Sequence, residues 1–274
     1  PIGEFSDKIE EVQLQNLSDS QIEENQVKEL NRLSVSYNKM LERLSEAFKI
    51  QRQFTENAAH ELRTPLSLMQ IQLDLYNSGK HPGNDADTIQ TIKMVTEQNE
   101  RLSKMVKTLL DMSELQTVGR DETIIVNALI DEVLADLEPL AQEKNIKLIG
   151  KCKDVNMVGS DILIYRLVYN LVENAIKYNH SGGQVIVEAY QKEKQVYLSV
   201  EDTGSGIPEE LKERVFEPFF RVDKSRSREL GGVGLGLALV NEIVRVHDGS
   251  IAIRPNPSGG TIIEVQFAVN RTTA

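Results

Sequence analysis

Three groups of residues have types and spacings suited to chemistry, and they lie far apart in the chain. The first is His60-Glu-Leu-Arg-Thr-Pro65. A neutral imidazole is a nucleophile near pH 7, and Glu61 beside it can accept the proton of one ring nitrogen, directing the other outward. Thr64 follows His60 by one helical turn on the same face, with Glu61 as its i+3 neighbour. Pro65 has no N–H for the carbonyl of Glu61, so the helix is expected to bend there. A solvated surface histidine is the plain alternative. Half of an HExxH zinc pair fails because position 64 is Thr, and a mere coiled-coil stalk leaves the polar cluster unexplained.

The second group is Asn170-Leu-Val-Glu-Asn174-Ala-Ile-Lys177-Tyr178. On a helix, Asn170, Asn174, Lys177 and Tyr178 project near one face. Two amide oxygens suit a hydrated Mg²⁺, which keeps waters and shares phosphate oxygens. Lys177 adds a mobile positive charge for phosphate, and Tyr178 a ring to lie over a purine. The alternative is the polar face of an ordinary helix, since Leu171, Val172 and Ile176 make an apolar one.

The third group is glycine-rich. Asp202-Thr-Gly204-Ser-Gly206 ends a β-rich run, where two glycines permit close backbone approach and Asp202 can accept from an exocyclic amine such as adenine N6. Gly231-Gly232-Val-Gly234-Leu-Gly236-Leu237 is expected to open a helix at about Gly234, whose free N–H groups and dipole favour an anion. The segment Phe216–Leu230, basic at Arg221, Lys224, Arg226 and Arg228, reads as a lid over a triphosphate or as a solvated loop. Neither GxGxxG nor GxxxxGK[ST] occurs, which excludes Rossmann and P-loop sites. HRD and DFG elements are missing too, which leaves a eukaryotic-type protein kinase unsupported.

Elements that position these residues are legible in the apolar pattern. Leu30, Leu33, Tyr37, Met40, Leu44, Ala47, Gln51, Phe54 and Ala58 alternate spacings of three and four, a heptad seam that turns His60 toward solvent. A second seam runs Val95, Gln98, Leu102, Met105, Leu109, Met112, and the Gly- and Pro-bearing connector Asn77–Asn84 joins the two helices as a hairpin. One hairpin cannot enclose its own stripes; two can, as a four-helix bundle, so a homodimer is expected. From about Glu122 strands and helices mix. Strands are predicted at Thr123–Val126, Ile146–Cys152, Gln184–Gln191, Gln195–Asp202, Ser250–Arg254 and Thr261–Val269. Helices follow Asn127 and Ser160, each expected as an N-cap, and span Leu235–His247. The fold class is therefore α+β: a helical hairpin forming a dimeric four-helix bundle, then an α/β sandwich. The boundary falls near Gln116–Asp121.

Composition narrows the partners. The chain has 274 residues, 40% hydrophobic and 27% charged, which is ordinary globular usage. Aromatics make up 5% and Trp is absent, favouring long helices with aliphatic cores. A formal charge of −11 argues against nucleic acid as the main partner. The single cysteine, Cys152, excludes an internal disulfide framework and a Cys-based zinc site. No apolar run approaches the roughly 18 residues of a membrane span. Pro1–Phe5 reads as a cut end, leaving room for an upstream membrane segment.

Together these residues resemble the sensor histidine kinases of bacterial two-component systems, over about Leu30 to Phe267. His60–Pro65 looks like the family's phosphoacceptor box and Asn170–Tyr178 like its asparagine box. Asp202–Gly206, Gly232–Leu237 and Gly259-Gly-Thr261 are similar to its glycine boxes, and Phe216–Phe220 to its phenylalanine box. The resemblance implies an ATP-binding sandwich of the kind shared with gyrase and MutL, with ATP and Mg²⁺ as cofactors. Asn174, assisted by Asn170, would hold the metal. Lys177 and Arg221 would meet phosphates, Asp202 would read adenine with Thr261 supporting it, and Gly204, Gly206, Gly232, Gly234 and Gly236 would line the nucleotide. His60 would attack the γ-phosphoryl with Glu61 as base, then donate to an aspartate of a response regulator. Glu61 and Thr64 would position water for the reverse, phosphatase activity.

Residues 1–45 are similar to part of a HAMP signal-relay module, 46–118 to the dimerisation and phosphotransfer domain, and 119–274 to the catalytic ATP-binding domain. The resemblance makes the chain the cytoplasmic portion of a membrane-anchored sensor. Two other readings stay open: an idle dimerising scaffold, which needs a damaged nucleotide site, and a free-standing ATPase, which expects an acidic base where Asn170 stands.

Overall fold

The computed structural model describes Ile22 and residues 28–77, 85–115, 117–222 and 233–269. The chain divides into two compact units, Pro1–Thr64 and Pro65–Ala274. Helix α1 (Lys28–Asn77) begins in the first and runs through Pro65 to its end in the second. Its interior contains no glycine, and its Leu, Glu, Lys, Arg and Gln content is that of strong helix formers.

In the first unit the buried stripe is Ser34, Tyr37 and Leu41. Tyr37 is a member of the predicted seam, and its seam neighbours Leu33 and Met40 are 50% and 54% exposed in the single chain. Ile22 packs on Tyr37 and Leu41, and its backbone is held by the Asn38 amide, which accepts from the Ile22 N–H at 2.9 Å and donates to its carbonyl at 2.8 Å.

The second unit opens with the end of α1 and with α2 (Asp85–Glu114), where the Thr88 hydroxyl reaches the Tyr76 hydroxyl at 3.5 Å. The predicted second seam faces inward, Met105 being fully buried and Val95, Gln98, Leu102, Leu109 and Met112 partly so. Most of the connector between the helices lies outside the described residues.

After α2 come β1 (Glu122–Ile125), α3 (Val126–Glu143), β2 (Lys147–Cys152), β3 (Asn156–Gly159), α4 (Asp161–Lys177), β4 (Gln184–Lys192) and β5 (Gln195–Asp202). Two 3₁₀ turns, Glu209–Leu211 and Arg214–Phe216, precede α5 (Gly236–Val246), β6 (Ser250–Pro255) and β7 (Thr261–Ala268). The main sheet has the order β2-β4-β5-β7-β6, with β2 parallel to β4 and the other pairs antiparallel. A separate antiparallel pair joins β1 to β3.

Helices α3, α4 and α5 cover one face of the sheet. In α4, Leu163, Ile164, Leu167, Val168, Leu171, Val172, Ala175 and Ile176 are buried, a stripe of i, i+3 and i+4 positions. Each fully buried Leu or Ile contributes about 1.5–3 kcal/mol over its exposed state, so this stripe fixes which face of α4 turns outward. In β7, Thr261, Ile263, Val265 and Phe267 alternate inward, as period two requires. The fold class is α+β, a helical N-terminal region followed by a mixed sheet domain.

Several local expectations are corrected. Asn127 is no cap: α3 starts at Val126, and the Asn127 amide donates to Asp154 at 3.3 Å. Ser160 precedes α4 without a side-chain cap; its backbone N–H donates to Nε2 of His247 at 3.1 Å instead. Strand β3 is not foreseen by the sequence. Helix α5 begins at Gly236 rather than Gly234, because Gly234 has φ +78°, a left-handed conformation outside helical geometry.

His247 clamps the end of α5 to the start of α4. The ring is buried, its Nδ1 lies 2.8 Å from the Ile243 carbonyl and it packs edge-on against Phe267. With Nε2 accepting from Ser160, Nδ1 carries the proton and donates. His247→Ala should therefore lower unfolding free energy by about 2–3 kcal/mol, since it empties a buried site and leaves the Ser160 N–H unsatisfied. Denaturant unfolding followed by circular dichroism measures this.

Candidate active site

The outward face of α4 borders a cavity of about 350 Å³ in the second unit. Asn170, Asn174, Lys177 and Tyr178 all line it, as their spacing predicts. The β5 end supplies Asp202 and the turn after it Gly206, while β7 supplies Thr261. Gly234 and Gly236 enter at the start of α5, and Arg221 comes from the segment before it.

Each group is held by identifiable contacts. The Asn170 amide donates to the Arg166 carbonyl one turn back at 2.7 Å, which commits its nitrogen and leaves the oxygen toward α5. A Cβ on Gly236 would come within 2.9 Å of that oxygen, so a side chain there would push the Asn170 amide from its place. Phe219 donates its N–H to the Gly234 carbonyl at 2.7 Å, and Arg221 donates to the Val233 carbonyl at 3.3 Å.

Asp202 is held by backbone donors. One oxygen accepts from the Gly204 N–H at 2.7 Å and from the Thr261 N–H at 3.3 Å. Its backbone carbonyl accepts from the Asn256 amide at 2.7 Å. Burial raises its pKa, and the two N–H donors pull the other way without cancelling the rise. Gly204 does not line the cavity; it stands behind it, where a Cβ would meet the Tyr178 carbonyl at 2.4 Å. Gly260, at φ +90°, presses on the Asp202 backbone in the same way.

Lys177 is not the mobile cation the sequence suggests. It pairs with Glu173 at 3.0 Å, with its side chain 16% exposed. Burial lowers its ammonium pKa, and Glu173 only partly restores it. Burial also pushes Glu173 up, but Lys177 and Lys104 outweigh that and hold its carboxyl below the usual range.

Sequence reasoning left Glu173, Lys104 and Thr108 out of the site. The i, i+4 spacing of Glu173 and Lys177 could have revealed that pair. Lys104 and Thr108, on α2, reach the cavity rim by a tertiary contact that no local signal announces. Gly232, Lys224, Arg226 and Arg228 lie outside the described residues.

His60, Glu61 and Thr64 belong to the first unit, on α1. His60 and Thr64 are exposed, as the seam predicts, and Glu61 is half-buried. The Thr64 hydroxyl donates to the His60 carbonyl at 3.2 Å, and Pro65 follows inside the helix.

In one cavity the second unit thus offers a partly buried carboxylate for an amine donor, two amide side chains, three cations and a glycine-lined helix start. The first unit offers an exposed imidazole.

Comparison with known proteins supports the same division. The His Kinase A (phospho-acceptor) domain model matches residues 50–118, and the histidine kinase-, DNA gyrase B- and HSP90-like ATPase model matches residues 159–271. The signal transduction histidine-protein kinase ArlS of Staphylococcus aureus is 31% identical over 97% of this chain, which spans 60% of the length of that relative. The Acinetobacter baumannii histidine kinase AdeS superposes with a TM-score of 0.64 at 25% identity, covering 77% of this chain and 98% of that one. Histidine kinase ThkA, solved in complex with response regulator protein TrrA, gives 0.67 at 25% identity, covering 89% of this chain and 68% of that one. With a phosphoacceptor domain followed by an ATPase-type domain, and these relatives across nearly its whole length, the chain belongs to the sensor histidine kinases.

Proposed function

We propose that the chain is an ATP-dependent protein-histidine autokinase that passes its phosphoryl group to an aspartate of a response regulator. The observation that carries this reading is the convergence of Asn170, Asn174, Lys177 and Asp202 on one cavity, in a chain that also exposes His60 on a helix. On this reading residues 46–118 form the dimerisation and phosphotransfer domain and 119–274 the catalytic domain. Residues 1–45 relay signals from a membrane-anchored parent. No helix among the described residues is long and apolar enough to cross a membrane.

The nucleotide would sit with adenine N6 donating to Asp202 and the purine beside Tyr178. Lys177 and Arg221 would face the phosphates, together with the N–H groups at the start of α5. The amide donor set suits a hydrated hard cation, so Asn174 and Asn170 would hold Mg²⁺. When bound, that ion neutralises charge on the phosphate oxygens. Phosphoryl transfer otherwise asks mainly for positioning.

A ring nitrogen of His60 bonds to the γ-phosphorus as the bridging P–O bond breaks, and ADP leaves with the bridging oxygen. The other ring nitrogen releases its proton to Glu61, leaving an uncharged imidazole ring that carries the anionic phosphoryl group. For the phosphatase direction, Thr64 has lone pairs free to accept from a water while its proton stays on the His60 carbonyl. Glu61 is the partner at ExxT spacing.

A homodimer is part of the same proposal. In the second unit α1 exposes Leu66, Leu68, Ile71, Leu73 and Leu75, and α2 exposes Ile89, Ile92, Val106 and Leu110. Helices so apolar on their outer faces find cover in a four-helix bundle with a second copy.

Incubation with γ-labelled ATP and Mg²⁺ should give an acid-labile, alkali-stable phosphoprotein. Asn174→Ala should abolish the label by removing the principal metal amide. Label on the unsubstituted chain that survives acid, or that forms equally without Mg²⁺, would overturn the reading.

A further inference from the structure

Two ion pairs tie α2 to α4. At one rung Lys104 donates to Glu173; at the other Asp111 accepts from Arg166 at 2.8 Å. The four residues sit seven apart on each helix, at 104 and 111 on α2 and at 166 and 173 on α4. The charges alternate in sign across the pair, so both rungs form with the two helices antiparallel. The rungs also differ in place: Lys104 and Glu173 line the cavity, whereas Asp111 and Arg166 do not.

The inner rung bears on the cavity's charge. Lys104 and Lys177 both bond the same carboxylate oxygen of Glu173. Glu173 is buried, so its charge must be matched, and with α2 docked it is shared between two ammonium groups. The cluster then carries one net positive charge at the rim. With α2 undocked, Glu173 and Lys177 cancel, and the polyanion's end of the cavity loses that charge.

The geometry points to α2 as a charge latch: docking through Lys104–Glu173 and Asp111–Arg166 releases Lys177 from full neutralisation and so raises affinity for a nucleoside polyphosphate. Lys104 is thus a positioning residue, acting through Glu173 on Lys177. This rests on the nucleotide reading of the cavity and deepens it. By reciprocity, bound nucleotide tightens the docking of α2 by the same factor, which links the nucleotide state of the catalytic domain to the placement of the phosphotransfer helix.

Calorimetric titration of the whole chain with Mg²⁺ and an ATP analogue that resists hydrolysis tests this. Lys104→Gln should bind about fivefold more weakly, at the low end of couplings between sites, and Lys104→Arg within about twofold of the unsubstituted chain. Asp111→Asn, remote from the cavity, should weaken binding about threefold through docking alone. Asp111→Arg and Arg166→Asp should each weaken it, and their combination should restore it by re-forming the rung with reversed sign. A purely local role for Lys104 moves only the Lys104 variants. Unchanged or tighter binding by Asp111→Asn overturns the latch, as does a charge swap that fails to rescue while the doubly substituted chain stays folded by circular dichroism. Failure of the unsubstituted chain to bind at all overturns the nucleotide reading itself, and the latch with it.

Discussion

His60→Gln should abolish the acid-labile phosphate completely while leaving nucleotide affinity within about twofold. Gln is close to His in length and is a better helix former, so α1 tolerates the exchange at an exposed position, with stability changed by no more than about 0.5 kcal/mol. An amide nitrogen has its lone pair delocalised into the carbonyl and does not attack phosphorus, so chemistry stops. The cavity belongs to a different unit of the chain, and none of its walls includes His60. Label incorporation measured beside nucleotide titration separates the two effects. Equal loss of both would mean that His60 helps to build the binding site.

Asp202→Asn should weaken ATP binding about 10- to 100-fold without unfolding the protein. The amide oxygen of Asn can still accept from the Gly204 and Thr261 N–H groups, so the turn after β5 keeps its internal bonds. Its nitrogen, however, would set a donor against the donating adenine amine. The effect on stability runs in the opposite direction. Burial raises the Asp202 pKa, so the folded state favours the protonated form. A raised carboxyl pKa contributes stability that is fully present below the usual carboxylate range and is lost as pH climbs through the raised value. At neutral pH the ionised Asp202 therefore burdens the fold, and Asn removes the burden. Thermal melting should show Asp202→Asn at least as stable as the unsubstituted chain at pH 7, the difference shrinking toward acid pH. Loss of binding together with a lower melting temperature would instead assign Asp202 to the architecture.

The parts of the site legible in the sequence are those where one helix or one turn carries the whole signal. In α4 the apolar stripe and the polar residues Asn170, Asn174 and Lys177 occupy adjoining faces of a single periodic segment, so the face bordering the cavity could be read directly. Gly206, Gly234 and Gly260 take positive φ angles that side chains resist, and such positions announce themselves as glycine. What escaped reading depends on contacts between distant segments. Lys104 reaches Glu173 only after α2 and α4 meet, and the bond from the Ser160 N–H at the head of α4 to His247 likewise joins distant segments. Strand β3 is four residues long and exists because β1 pairs with it. On α1, Ile22 packs on Tyr37 of the heptad seam and on Leu41, a contact between separate segments that the period alone does not announce. Periodicity sets which residues share a face, and tertiary partners decide which face is covered.

The most direct measurement is to incubate the chain with ATP and Mg²⁺, digest it at alkaline pH and locate the phosphate by fragment mass spectrometry. The account expects phosphate on the imidazole of His60 and at no other residue, absent from chains carrying Asp202→Asn at limiting ATP and restored when ATP is raised. Phosphate on a hydroxyl or carboxylate side chain, or an unmodified His60 in a chain that binds ATP and turns it over, would contradict it.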